Sequence, residues 1–168
     1  MTVDRLRGRR FAWALTAVLL IVCGIGAAVW MTRDTSKPNA AGDDCTVVKK
    51  LVEQWVTMSE SVKSALETGP GERRDMLAVA DRESAMSEKL RAAADSVSSP
   101  AFKEHFNKWA KGAALTAEIQ RESVNRPFQV ETPPDLQFKM RNAAVMTDEA
   151  SGSLIQACPE ARQALPGH

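Results

Sequence analysis

Apolar residues recur every three or four positions through four successive stretches of this 168-residue chain, and glycine, proline or serine interrupts the period after each one. The first stretch places Val48, Leu51, Trp55, Met58, Val62 and then Ala65 or Leu66 on one helical face. Asp44 stands before it as an N-cap, and the Gly69-Pro70-Gly71 run ends it. A second stripe, Met76, Val79, Met86, Leu90, Ala93 and Val97, predicts a helix over 72–97. Ser99 followed by Pro100 reads as an N-cap with proline at the first helical position, and Phe102, Phe106, Trp109, Ala113, Thr116 and Ile119 carry the third stripe. After the interruption at 125–131, Thr132 reads as an N-cap with Pro133 at the first position. Leu136, Met140, Ala143, Thr147, Ala150, Leu154 and then Ala157 or Cys158 follow, up to Pro159. Four helices of similar length suit a bundle about 36 Å long. Ser98-Ser99 is the open joint, because so short a connection serves either as a reversal or as a kink in one long helix.

Residues 11–31 carry no charge and no proline, and as a helix they would cover the ~30 Å of a bilayer's hydrocarbon. Arg5, Arg7, Arg9 and Arg10 precede them against Asp4 alone, which makes the N-terminus the cytoplasmic side. Trp13 and Trp30 sit near the ends of the span, where amphipathic rings lodge among headgroups. A cleaved secretory signal would have an apolar core of about 7 to 15 residues, shorter than this one, so the segment reads as an uncleaved signal anchor. Val22 before Cys23 does not suit lipid attachment, and Cys23 reads as an apolar filler. The expected organisation is a basic tail at 1–10, an anchor at 11–31 and a polar linker at 32–43. An antiparallel four-helix bundle outside the membrane follows at 44–159, with a C-terminal tail at 160–168.

The bundle and the cysteines constrain each other. With an even number of antiparallel helices, the start of the first and the end of the fourth lie at one end, so Cys45 and Cys158 come within the ~6 Å Cα separation of a disulfide. Three helices would put them at opposite ends. An extracytoplasmic domain meets oxidising conditions, and a bond closing nearly the whole domain is worth up to about 4.8 kcal/mol in the chain-entropy view.

Charge narrows the partners. Removing the four tail arginines and Asp4 from the totals of 22 basic and 21 acidic residues leaves the remainder slightly acidic, with no footprint for nucleic acid. His105 and His168 are the only histidines and neither belongs to a Glu-x-x-His or His-Glu-x-x-His signature, so no metal is expected. The chain has no Gly-x-Ser-x-Gly elbow and no phosphate-cradling glycine loop. Three features suit a binding surface. Lys103, Lys108 and Lys111 give the third helix positive character, Phe128 and Val130 are apolar residues in the longest connection, and Met58, Met76, Met86, Met140 and Met146 suit an adaptable groove or plain gap-filling. Glu83 falls on the second stripe, and a one-residue shift in register that brings Leu77 and Ala80 inward is the simpler account of it. No segment carries a family motif. The expectation is a non-enzymatic, cofactor-free, single-pass envelope protein whose helical domain serves another envelope or membrane protein as accessory or scaffold. The alternative is a carrier for an apolar ligand such as a lipid.

Overall fold

A computed structural model of the chain describes residues 42–68, 73–126 and 132–166, and over these the regular structure is entirely helical. The order is α1 (Gly42–Thr68), α2 (Arg73–Ser96), α3 (Pro100–Asn125), α4 (Pro134–Ala157) and a 3-10 helix (Pro159–Ala164). The anchor segment 11–31 lies outside the described residues, and no helix among them is long and apolar enough to cross a membrane.

The Ser98-Ser99 joint is a reversal. Ser99 is extended (φ −69°, ψ 120°), its hydroxyl accepts from the Phe102 N–H at 3.4 Å, and Pro100 opens α3. Beyond the turn α2 and α3 run antiparallel. The buried Ser87 hydroxyl donates to the Ala110 carbonyl at 2.8 Å, and Arg73, near the far end of α2, donates to the Val124 carbonyl and Asn125 Oδ1 at the far end of α3. The antiparallel course of α4 along α3 follows from the Lys108–Glu149 pair at one level and Lys139, which reaches Glu118 and Glu122 at 2.9 and 2.8 Å, at the other.

Two helix starts differ from expectation. Asp44 does not cap its own helix, which begins two residues earlier at Gly42. Its buried carboxylate turns to the α2–α3 reversal: Oδ1 accepts from the Ser98 N–H at 3.0 Å, and Oδ2 accepts from the Ser98 hydroxyl at 3.0 Å and the Ser99 N–H at 2.9 Å. At the start of α4, Pro133 occupies the cap position and Pro134 the first turn, one residue later than Thr132 would have set it. A residue before proline is pushed out of the helical region, and Pro133 at ψ 144° obeys Pro134. Thr132 contributes only its carbonyl, which accepts from Gln137 Nε2 at 2.6 Å.

Cys45 and Cys158 lie at disulfide-bonding distance with Cα atoms 5.4 Å apart, as the even helix count requires. Around them sits the larger apolar cluster, in which Val48, Leu51 and Val52 of α1 meet Met86 and Leu90 of α2, Phe102, Phe106 and Trp109 of α3, and Leu154 of α4. Trp55 tilts against Trp109 at 5.1 Å between ring centroids. The tail expected at 160–168 opens with the 3-10 helix, which packs chiefly on α1 and buries Ala161. Toward the other end a smaller cluster gathers Ile119, Leu136 and Ala143, with Leu115 and Met140 partly buried beside them, all from α3 and α4, while Val62, Val79, Ala80 and Ala117 are buried outside both clusters.

At Gly112 the backbones of α3 and α4 approach so closely that a Cβ would stand 2.4 Å from Thr147 Oγ1 and 3.0 Å from the Ala143 carbonyl oxygen. Gly112→Ala should destabilise by about 1–2 kcal/mol, since the overpacking outweighs the better helix propensity of alanine. Adding Thr147→Ala should recover part of that loss, and chemical denaturation of the three variants reads both effects.

The hydrogen bonds from Ser98 and Ser99, together with the nearby Lys103 charge, outweigh the cost of burial and hold the Asp44 carboxyl below its ordinary range. Its contribution is therefore complete above pH ~4 and is lost as pH falls through the depressed folded value. Asp44→Ala should cost about 2–3 kcal/mol at neutral pH by leaving the turn's donors unsatisfied, and should flatten the acid limb of a stability–pH profile.

Candidate interaction surface

The three lysines of α3 do not converge. Lys108 pairs with Glu149 of α4, Lys103 lends its charge to Asp44, and Lys111 is exposed. Along a helix, positions 103 and 108 point about 140° apart, so the side chains leave α3 in different directions. His105 is half-buried beside them. Phe128 and Val130 lie outside the described residues.

Among the described residues, the large apolar side chains that stand in solvent are on α4. Phe138 is 65 % exposed and Val145 is 46 % exposed. They are seven residues apart, on one side of the helix, while Leu136, Ala143, Thr147, Ala150 and Leu154 of the same helix face the core. This pair lies off the core stripe of α4 and outside the connection that carries Phe128 and Val130. The signal was present nonetheless: once the α4 stripe is assigned, Phe138 and Val145 are the large apolar residues left off it. The helix bearing them is firmly held, by its ion pairs to α3, the close approach at Gly112 and the covalent link at Cys158.

An open depression lies between α1 and α2, which share a thinner interface than α2 and α3. Its volume is about 430 Å³, and its lining includes Glu53, Thr57 and Met58 of α1 and Arg82, Met86 and Lys89 of α2. Met58 and Met86 thus act as both core and groove lining, while Met76, Met140 and Met146 are half-buried.

Glu83 overturns the expected register shift. Ala80 does turn inward and Leu77 is half-buried, yet Glu83 remains on the buried face at 7 % exposure. Its Oε2 has no hydrogen-bond partner, and desolvation alone pushes its carboxyl up to about 7. Gln120 Oε1 and Trp109 Nε1 are likewise buried without a partner. Among the described residues, potential metal-ligand atoms gather at Cys45, Cys158 and Glu160, where the two sulfurs are committed to each other and leave no thiolate to bind an ion.

No family model matches the chain, and neither a curated protein nor a solved structure matches it.

Proposed function

We propose that this chain is a membrane-tethered accessory protein of the cell envelope, non-enzymatic, whose helical domain docks another envelope or membrane protein along the outward face of α4. The observation that carries the reading is the exposure of Phe138 and Val145 one heptad apart on a helix whose opposite side is fully used by the core. A large apolar ring in water gains free energy when a partner covers it, and aromatic side chains recur among the residues that dominate interface energies. The apolar, charge-free segment 11–31, with its preceding arginines, supports both the tether and a domain outside the cytoplasm. Extracytoplasmic placement in turn suits a bonded Cys45–Cys158 pair.

A photo-crosslinking residue installed at position 138 or 145 of the full chain in native membranes should give one discrete adduct, and the same probe at exposed Arg91 of α2 should not. Phe138→Ala with Val145→Ala should weaken partner capture at least tenfold while leaving thermal stability within a few degrees. Adducts that are absent, or equal at position 91, would overturn the reading.

The α1–α2 groove favours a second reading, a site for an anionic amphiphile. Its lining includes methionine, which adapts to irregular apolar shapes, and Arg82 and Lys89 present two cations on the α2 side. Oleate should then quench or shift Trp55 fluorescence saturably, oleyl alcohol should bind at least tenfold more weakly, and Arg82→Glu with Lys89→Glu should abolish the difference. Equal response to both amphiphiles would mark mere detergency.

A further inference from the structure

Of the buried apolar positions of α2, those from Met86 toward the Ser98 turn belong to the large apolar cluster, while Val79 and Ala80 join neither cluster. Glu83 lies between these two groups along the helix, the charged member of a buried face that is otherwise uncharged. The smaller cluster is built by α3 and α4 alone. The far part of α2 packs on α3 through this face. Surface contacts assist it, from Arg121 to Asp81 at 2.9 Å and to the Ser84 hydroxyl at 3.1 Å, and from Arg73 to Asn125.

We infer that Glu83 is a proton-operated latch: the far half of α2 closes on α3 around its carboxylic acid, and loss of the proton loosens α2 from α3 there while the disulfide end stays shut.

The carboxyl has no counter-charge to keep it comfortable when ionised. Arg121 of α3 is engaged with Asp81 and Ser84, Lys139 of α4 holds Glu118 and Glu122, Lys63 of α1 stands 3.9 Å from Glu67 in solvent, and Glu60 of α1 is exposed. Arg82 and Ser84 flank it on α2 without donating to it. A buried carboxylate with no partner is costly, whereas the protonated form is neutral, and burial accordingly raises the carboxyl to about 7. The folded value lies above the unfolded one, so the closed form is favoured in full below the ordinary glutamate range. That advantage declines as pH climbs toward 7 and levels off beyond it. The proton leaves to solvent and no bond other than O–H is broken.

Hydrogen exchange of the oxidised full-length chain, corrected for the intrinsic pH dependence of amide exchange, measures the opening directly. Between pH 5 and pH 8 the opening equilibrium of segment 76–90 should rise several tens-fold, on the order of what a carboxyl moving from ~4.5 to ~7 dictates. Segment 46–55, beside the disulfide, should not change. Glu83→Gln and Glu83→Leu, which cannot ionise, should abolish the rise, and the leucine variant should exchange more slowly throughout. A pH-independent wild type, or a rise that persists in both variants, would overturn the latch; a fully structured leucine variant guards against misreading a damaged fold.

Discussion

Two consecutive residues in the first turn of α1 fix the positions of the other three helices. The Asp44 carboxylate gathers the donors of the reversal between α2 and α3, and the Cys45 sulfur meets Cys158 at the end of α4. One contact is electrostatic and the other lies at covalent-bonding distance, yet they fall within a single helical turn and act on opposite neighbours. A bundle with short connections needs some device to choose among alternative packings of similar apolar stripes, since Leu, Val and Met faces are interchangeable to first order. Buried charge supplies it, because a misplaced Asp44 would lose its donors and keep its desolvation cost.

From that junction the packing weakens along the bundle. Phe102, Phe106, Trp109 and Leu154 fill the tethered end, whereas the far end buries smaller side chains, among them Val62, Val79, Ala80, Ala117, Ile119, Leu136 and Ala143, with ion pairs at the rim. The 3-10 helix extends the tethered end further by covering α1. Away from that end Glu83 and Gln120 are buried with an unpartnered oxygen each. Burial raises both the Asp44 and the Glu83 carboxyl, yet their net shifts are opposite. Backbone donors surround the first and favour its charge; desolvation acts alone on the second and favours its proton.

Helix number, the four stripes and the cysteine pairing were legible in the sequence because each follows from a short-range period or a simple parity argument. Ser99 and Pro100 behave as local chemistry dictates. What escaped depended on neighbours distant in the chain. Asp44 has the composition of a cap, and only the position of residues 98 and 99, more than fifty residues away, reveals which helix it serves. Glu83 looked like an error of register because a charge on a seam usually is one; its burial follows from the packing of α2 against α3, which no period encodes. The lysines of α3 looked like a patch in one dimension and separate once Lys108 finds Glu149 across the helix pair. Phe138 and Val145 were readable in principle, as the apolar remainder after the core face of α4 is subtracted.

The location of that remainder has a mechanical logic. The helix that carries it is restrained at several independent points: the Cys45–Cys158 pair at its end, close backbone approach at Gly112, and ion pairs through Glu149 and Lys139. By contrast α1, which leads to the N-terminal segment, touches α2 thinly and leaves the methionine-lined depression beside it. The thin contact leaves α1 and α2 joined chiefly at the Asp44 end, where the Ser98–Ser99 turn and Cys158 hold α1, whereas α3 and α4 are packed together along their length. The helix that carries Phe138 and Val145 thus belongs to the densely packed side of the domain, and the depression between α1 and α2 to the thinner one.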